Sequence, residues 1–351
     1  MDGPRRSFLD SLLETATPAG FEIPGQRRWI EYVEPFADEV RTDAYGNAVA
    51  VLDRGGPALA LSGHMDEIGL IVRDIEDDGM VRMSSIGGSD RTVSKGQHVR
   101  IHTRDGPVSG VVGQPAIHLR KREDDTIEDI GEQHVDIGAV DGDEAEALVE
   151  RGDPITFAQT ISELANDRIA ARGLDNRIGS WAAAEGLRRV ADSELDTTVY
   201  AISTVQEELG MQGAKMVGFD LALDAAIAID VTHATDSPGI PSGAGAGVEL
   251  GEGPVLGRGS ANHPKLVEIV RKAATTTEID IQLQAAGIRS GTDADAYYTS
   301  RGGVPSLNVG VPNRYMHTPV EVLDLHDLDK TADLLAAAAR SFDPAALQLD
   351  L

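Results

Sequence analysis

From Ala165 onward, stretches that read as strands alternate with stretches that read as helices, and no other feature limits the possible fold as much. The apolar spacing predicts helices over Asn176–Val190, Gly213–Phe219, Pro264–Thr276 and Leu328–Phe342, with another near Asp293–Thr299. Between them, Thr198–Thr204, Ala225–Asp230, Ile279–Gln284 and Ser306–Val309 predict strands. This alternation is the texture of βαβ units, and it predicts an α/β fold with a mixed sheet flanked by helices. Nearer the N-terminus, a helix over Pro24–Glu34, a hairpin over Glu39–Leu52 turning at Gly46-Asn47, and a buried strand over Ala58–Ser62 are expected to join the same sheet.

Between residues 69 and 165 the texture changes to short alternating strands punctuated by glycine: Gly69–Val72, Val99–His102, Val108–Val112 and Ile155–Phe157. One helix is expected there, Asp143–Arg151, with acidic residues in its first turn and Gly152 just past its end. At 351 residues the chain exceeds the roughly 100 to 200 of one domain. The expected division is a discontinuous catalytic unit, residues 1–68 and 166–351, interrupted by an all-β unit, residues 69–165. The Ser242–Gly247 stretch reads as a mobile loop, and a poor phosphate cradle because no Lys-Ser/Thr follows it.

Composition narrows the chemistry. The chain has no cysteine, which excludes disulfides, thiolate catalysis and Cys-ligated zinc, and leaves His and carboxylates as the strong metal ligands. Its 58 acidic residues against 31 basic ones give a formal charge of -27. Such a surface repels nucleic acid and anionic lipid. Only six of the basic residues are lysine. A chain this acidic repels itself in dilute salt, which points to a halophilic protein, the alternative being an ordinary acidic cytosolic enzyme. No apolar run approaches the ~18 residues that span a bilayer, and Pro4-Arg5-Arg6 is not followed by an apolar signal core, so a cytoplasmic location is expected.

Five polar clusters sit just beyond the predicted strands: Gly63-His64-Met65-Asp66, Gly173-Leu174-Asp175-Asn176, Gln206-Glu207-Glu208, Ile229-Asp230 and Met316-His317. In open α/β sheets such clusters converge at the carboxyl ends of the strands. Taken singly each is bland, since a lone His after a strand is usually a satisfied hydrogen-bond partner and Glu207-Glu208 could be a solvated helix start. Taken together, two His and three carboxylates supply a site for two metal ions if one carboxylate bridges, and Glu207, beside Glu208, is the candidate base.

The stretches His64-Met65-Asp66-Glu67-Ile68-Gly69, Leu174-Asp175-Asn176-Arg177, Gln206-Glu207-Glu208-Leu209-Gly210 and Met316-His317-Thr318-Pro319-Val320-Glu321 resemble the motifs of the tetrahedral (TET) aminopeptidases, glutamyl/leucyl aminopeptidase-like dinuclear metallopeptidases sometimes labelled endoglucanases. Within the insertion, Ile86-Gly87-Gly88, Gly96-Gln97-His98-Val99 and Val135-Asp136-Ile137-Gly138-Ala139 resemble that family's β-barrel-like dimerisation domain. The resemblance, which extends over nearly the whole chain, implies that Asp175 bridges two divalent ions, zinc or cobalt. His64 and Asp230 would complete one site, Glu208 and His317 the other. It also implies Glu207 as general acid/base, Asp66 as the acceptor that orients the His64 imidazole, and a cis peptide between Asp175 and Asn176. Dimers would pair through the inserted domain and assemble into a tetrahedral dodecamer that admits peptides.

The expected reaction is removal of N-terminal residues from peptides by a hydroxide bridging the two ions. A related dinuclear deacylase or carboxypeptidase would share the ligands, and a metal-independent glycosidase could use Glu207 and Asp230 as acid and nucleophile. His233, three residues after Asp230, is a possible substitute for His64. His98, His102, His118, His134, His263 and His326 read as structural or surface residues. Ser290-Gly291-Thr292-Asp293-Ala294-Asp295 reads both as cleft lining and as a helix start capped by Thr292 or Asp293.

Overall fold

The computed structural model describes residues 1, 3–120, 127–241 and 247–349; of the predicted Ser242–Gly247 loop, only Gly247 falls among them. Two helices begin the chain, α1 (Gly3–Glu14) and α2 (Ile23–Val33), burying Phe8, Leu9, Leu12, Leu13, Trp29 and Val33 in the main core. The hairpin β1 (Glu39–Thr42) and β2 (Ala48–Leu52) turns where the Asp43 carboxylate accepts from the backbone N–H of Tyr45, Gly46 and Asn47. Strand β3 (Ala58–His64) follows, and all seven of its residues are buried.

The chain then leaves the sheet to build a closed antiparallel barrel. Its strands are β4 (Gly69–Ile75), β5 (Val81–Ile86), β6 (His98–Thr103), β7 (Gly106–Val112), β8 (His134–Asp136) and β9 (Pro154–Phe157), in the order β4-β5-β8-β7-β6-β9. Alternation sends Leu70, Val72, Val81, Met83, Val99, Ile101, Val135 and Ile155 into a core of the barrel's own. Helix α3 (Gly142–Leu148) is shorter than expected and is capped by Asp141, whose side chain accepts from Glu144 N.

The return to the sheet is made by β10 (Ser162–Leu164), paired with β11 (Arg168–Ala171). Then come α4 (Leu174–Arg188), β12 (Thr198–Thr204), α5 (Gln212–Asp220), β13 (Ala225–His233), β14 (Val255–Gly259), α6 (Pro264–Thr276), β15 (Gln282–Ala286), α7 (Ala294–Tyr297), β16 (Ser306–Arg314), β17 (Glu321–Asp324) and α8 (Leu325–Ser341). Among the described residues eleven strands form one sheet, in the path β1-β2-β12-β3-β13-β16-β17-β11-β10, with β14 on β16 and β15 on β14. Four neighbours at its centre, β12, β3, β13 and β16, are parallel. One face packs on α1, α2, α4, α6 and α8, and the other on α5 and α7. The fold is therefore the expected mixed α/β sheet flanked by helices, with a separate small β-barrel. Among the described residues no helix is long and apolar enough to cross a membrane.

Some elements differ from the expectation. Helix α4 has non-helical backbone at Asp175 and Asn176, and the peptide between them is cis, as the resemblance implies. Strand β13 runs on to His233, past the expected end at Asp230, and β15 lies a few residues later than predicted. Strand β3 and helix α4 approach so closely that a Cβ on Gly63 would fall 2.2 Å from the Gly179 carbonyl carbon. Glycine next to His64 thus lets the helix sit directly against the strand end.

Candidate metal centre

The parallel strands deliver four of the five polar clusters to one edge of the sheet. His64 ends β3, Glu207 and Glu208 follow β12, Asp230 lies near the end of β13, and His317 follows β16. Asp175 comes from the start of α4, the helix that Gly63 lets close on β3. In the same helix, Asn176 donates from Nδ2 to Ile229 O at 2.7 Å and accepts from Gly179 N at 3.0 Å, fastening it to β13.

Asp175 stands between the two imidazoles. Its Oδ1 is 3.3 Å from His64 Nε2, and its Oδ2 is 3.3 Å from His317 Nε2. Asp230 Oδ1 lies 3.9 Å from His64 Nε2, Glu208 Oε1 lies 3.4 Å from His317 Nε2, and Glu207 Oε2 is 4.0 Å from His64 Nε2. Two groups of ligand atoms result, each spanning no more than 4.8 Å: His64, Asp175 and Asp230, and Asp175, Glu208 and His317. His233 belongs to neither group and lies exposed on the wall of the adjoining cleft. His102, half-buried in the barrel, faces Thr156 Oγ1 at 2.8 Å.

A surrounding ring of carboxylates holds this arrangement. The Asp66 side chain accepts from Glu207 N at 2.9 Å and Glu208 N at 3.0 Å, bracing the loop that carries both acids. The His64 imidazole has its Nδ1 3.0 Å from the Asp66 carbonyl oxygen and 3.3 Å from Oδ1, so the nearer acceptor is the main chain and not the expected carboxylate. Glu321 accepts from Asp175 N at 3.0 Å and His317 N at 2.9 Å, tying one ligand to another. Asp293 accepts from Thr204 Oγ1 at 2.6 Å through Oδ2, and its Oδ1 is buried without a partner. Glu321 and Asp293 were quoted in the sequence motifs without these roles. The only signal for Glu321 was an acid four residues after His317 in an otherwise apolar and turn-forming stretch.

The electrostatics show what the donor set lacks. Burial, with the neighbouring carboxylates Asp230, Asp293 and Glu208, pushes Glu207 up to about 10 against the pull of His64. Burial also raises Glu208, Asp230 and Glu321, and lifts Asp293 to about 6. For Asp175 burial is outweighed by hydrogen bonds from His317 and His64, which hold its carboxyl well below the usual range. Burial likewise opposes protonation of His64, but Asp66, Asp175 and Asp230 overcome it and raise that pKa. Hydrogen bonding to Asp175 and Glu208 pushes His317 up to about 11. The cluster thus buries more carboxyl groups than its two imidazoles can keep ionised. An oxygen and imidazole donor set whose carboxyls lack counter-charge fits divalent cations.

A cleft of about 710 Å³ opens onto the cluster, lined also by Thr232, Gln284, Arg289, Thr292, Asn308 and Met316. Ser290, Gly291 and Thr292 line it too, while Asp295 accepts from the backbone N–H of Ser290 and Gly291, so the stretch is both cleft wall and helix start. Asp293 is the N-cap of α7 but makes no side-chain capping bond, and Thr292 Oγ1, one residue earlier, accepts from Ala294 N at 3.3 Å.

The family described as M42 glutamyl aminopeptidase matches residues 46–334. The chain belongs to the M42 aminopeptidases. Among its relatives, the lysyl aminopeptidase of Pyrococcus furiosus is 34% identical over 342 residues, 96% of this chain and 97% of that one. The structure of a TET aminopeptidase from a marine sediment archaeon of the Thaumarchaeota superposes with a TM-score of 0.92 at 31% identity, covering 98% of each chain. The TET1 peptidase of Pyrococcus horikoshii, described as assembling into a tetrahedron or a large octahedral shell, gives 0.87 at 32% identity over 96% of this chain and all of that one. M42 enzymes are metal-dependent, so this member is an aminopeptidase, a peptide hydrolase, with a candidate metal site at the sheet edge.

Proposed function

We propose that the chain removes N-terminal residues from peptides with two divalent ions, zinc or cobalt, bound at adjacent sites. His64, Asp175 and Asp230 hold one; Asp175, Glu208 and His317 hold the other. The observation that carries this reading is Asp175, whose two oxygens each face a different imidazole at 3.3 Å. What such ions supply when bound is Lewis acidity, toward the scissile carbonyl and toward a water.

The chain's own groups do the rest. Glu207, in the cleft and free of both ligand groups, accepts the proton of the attacking water and returns it to the leaving amine. Burial and neighbouring acids push its carboxyl up, and bound cations would pull it back toward the ionised form that accepts a proton. Asp66 fixes where Glu207 and Glu208 stand through their backbone N–H groups. An acidic side chain of the centre receives the peptide's α-ammonium group, which confines cleavage to the N-terminus.

Residues 69–165, most of them the barrel, are proposed as the dimerisation domain of a homo-oligomer whose dimers build a tetrahedral dodecamer; assembly into a tetrahedron is described for the Pyrococcus horikoshii relative. The charge of -27 supports a halophilic protein. Hydrolysis of aminoacyl anilides, abolished by chelation, is the expected result. Hydrolysis of N-acyl amino acids instead would assign a deacylase or carboxypeptidase, and chelator-resistant glycoside cleavage a glycosidase.

A further inference from the structure

The turn after β5 carries Gly87 and Gly88 from the barrel onto the metal centre. Gly88 O lies 3.2 Å from His317 Nδ1, whose ring presents Nε2 to Asp175 and Glu208 at 3.3 and 3.4 Å. A carbonyl oxygen can only accept, so Nδ1 carries a proton and donates it to Gly88 O, which leaves Nε2 facing the carboxylates. There is no room for more. A Cβ on Gly88 would fall 2.9 Å from His317 Nδ1 and 3.2 Å from Cε1, and one on Gly87 would fall 3.2 Å from Glu208 Cβ and 3.3 Å from Oε2. Both contacts are made with ligands of the same ion. The turn is tied back to the barrel by Ser89, whose hydroxyl donates to Gly69 O at 2.9 Å. By contrast, His64 is oriented by Asp66 and Asp230 by Val231 N, both on the large sheet or its strand ends.

We propose that Gly88 is a positioning residue for His317: its carbonyl fixes the ring's tautomer and angle, and its missing side chain leaves the space the ring needs. The affinity of the ion held by Asp175, Glu208 and His317 then depends on the barrel, while that of its neighbour does not. The inference rests on the two-ion reading above. Gly88 does not have a positive φ, so Gly88→Ala introduces only the Cβ, without the backbone strain that the same change at Gly87, φ +67°, would bring.

The test is equilibrium dialysis of the metal-free protein against cobalt(II) in molar salt, read by metal analysis and by cobalt absorption bands, alongside the unfolding midpoint of the metal-free protein. In Gly88→Ala the expected result is one ion per chain bound with wild-type affinity, the second weakened by about ten- to a hundredfold, the range for disturbing a ligand's outer support, because the added Cβ turns the His317 ring away from Gly88 O, and an unchanged midpoint. Ser89→Ala, which loosens the turn without adding bulk, is expected to weaken the same ion less, and it decides the matter if Gly88→Ala does not fold. Wild-type binding of both ions in both variants would overturn the proposal, as would equal weakening of the two. A wild-type protein that takes up fewer than two ions removes the two-ion reading, and the inference with it, before any variant is compared.

Discussion

Glu207 and Glu208 are adjacent in sequence, braced by the same Asp66 carboxylate, and yet point to different tasks. Glu208 lies 3.4 Å from His317 within a ligand group, and Glu207 belongs to neither group. Glu207→Gln keeps the shape and removes the proton acceptor. Bound metal should therefore persist while kcat falls by about 10² to 10⁴, with KM little changed, and added metal should not restore it. Glu208→Gln removes an anionic ligand, so the ion shared with Asp175 and His317 should bind more weakly and excess metal should recover part of the activity. Metal analysis and steady-state kinetics on the two variants separate these outcomes, and near-normal turnover in both would leave the pair without a part in catalysis. The five ligand candidates and the base were legible in the sequence because His and acids following strands are chemically conspicuous. The supports were not. Asp293, Gly88 and the Asp175 contact of Glu321 join residues far apart along the chain, and only the acid four residues after His317 is a local signal.

At the scale of elements, α4 meets β3 over a buried ion cluster. Glu67 accepts from Arg172 Nη1, from Arg177 Nη2 at 3.0 Å and from Thr17 N at 3.0 Å, and all its surroundings are buried. Burial disfavours its charge, but the two guanidinium groups outweigh that and lower its pKa. A carboxyl whose folded pKa is depressed contributes stability above its unfolded value of about 4.5, and that contribution is lost as pH falls through the folded value. Glu67→Gln leaves two buried cations without their anion and should destabilise the protein at pH 7 by about 3 to 5 kcal/mol. The gap to wild type should narrow as pH drops below about 4.5. Denaturant unfolding at pH 7 and at pH 3.5 checks both; a gap that stays constant would show that Glu67 is not the titrating partner. The elements themselves were largely legible because apolar spacing repeats over whole helices and strands. Strands β5, β8, β10, β11, β14 and β17 were not anticipated, since pairing with neighbouring strands and not their own apolar spacing determines them.

For the whole molecule, 58 acidic residues against 31 basic ones make low salt the adverse condition. The Debye length lengthens from ~3 Å at 1 M to ~10 Å at 0.1 M, so repulsion between subunits grows on dilution. Light scattering should show dissociation, with loss of activity, as molar salt is reduced to roughly 0.1 M; constant mass and activity would count against the halophilic reading. The expectations for catalysis and for Gly88 depend on the centre at the edge of the large sheet binding two ions. Its most direct test is the number of divalent ions bound per chain by the purified protein at saturation in molar salt, measured by elemental analysis. Two per chain, lost together with peptidase activity on chelation, is the predicted result, and an active enzyme with one ion or none would contradict it.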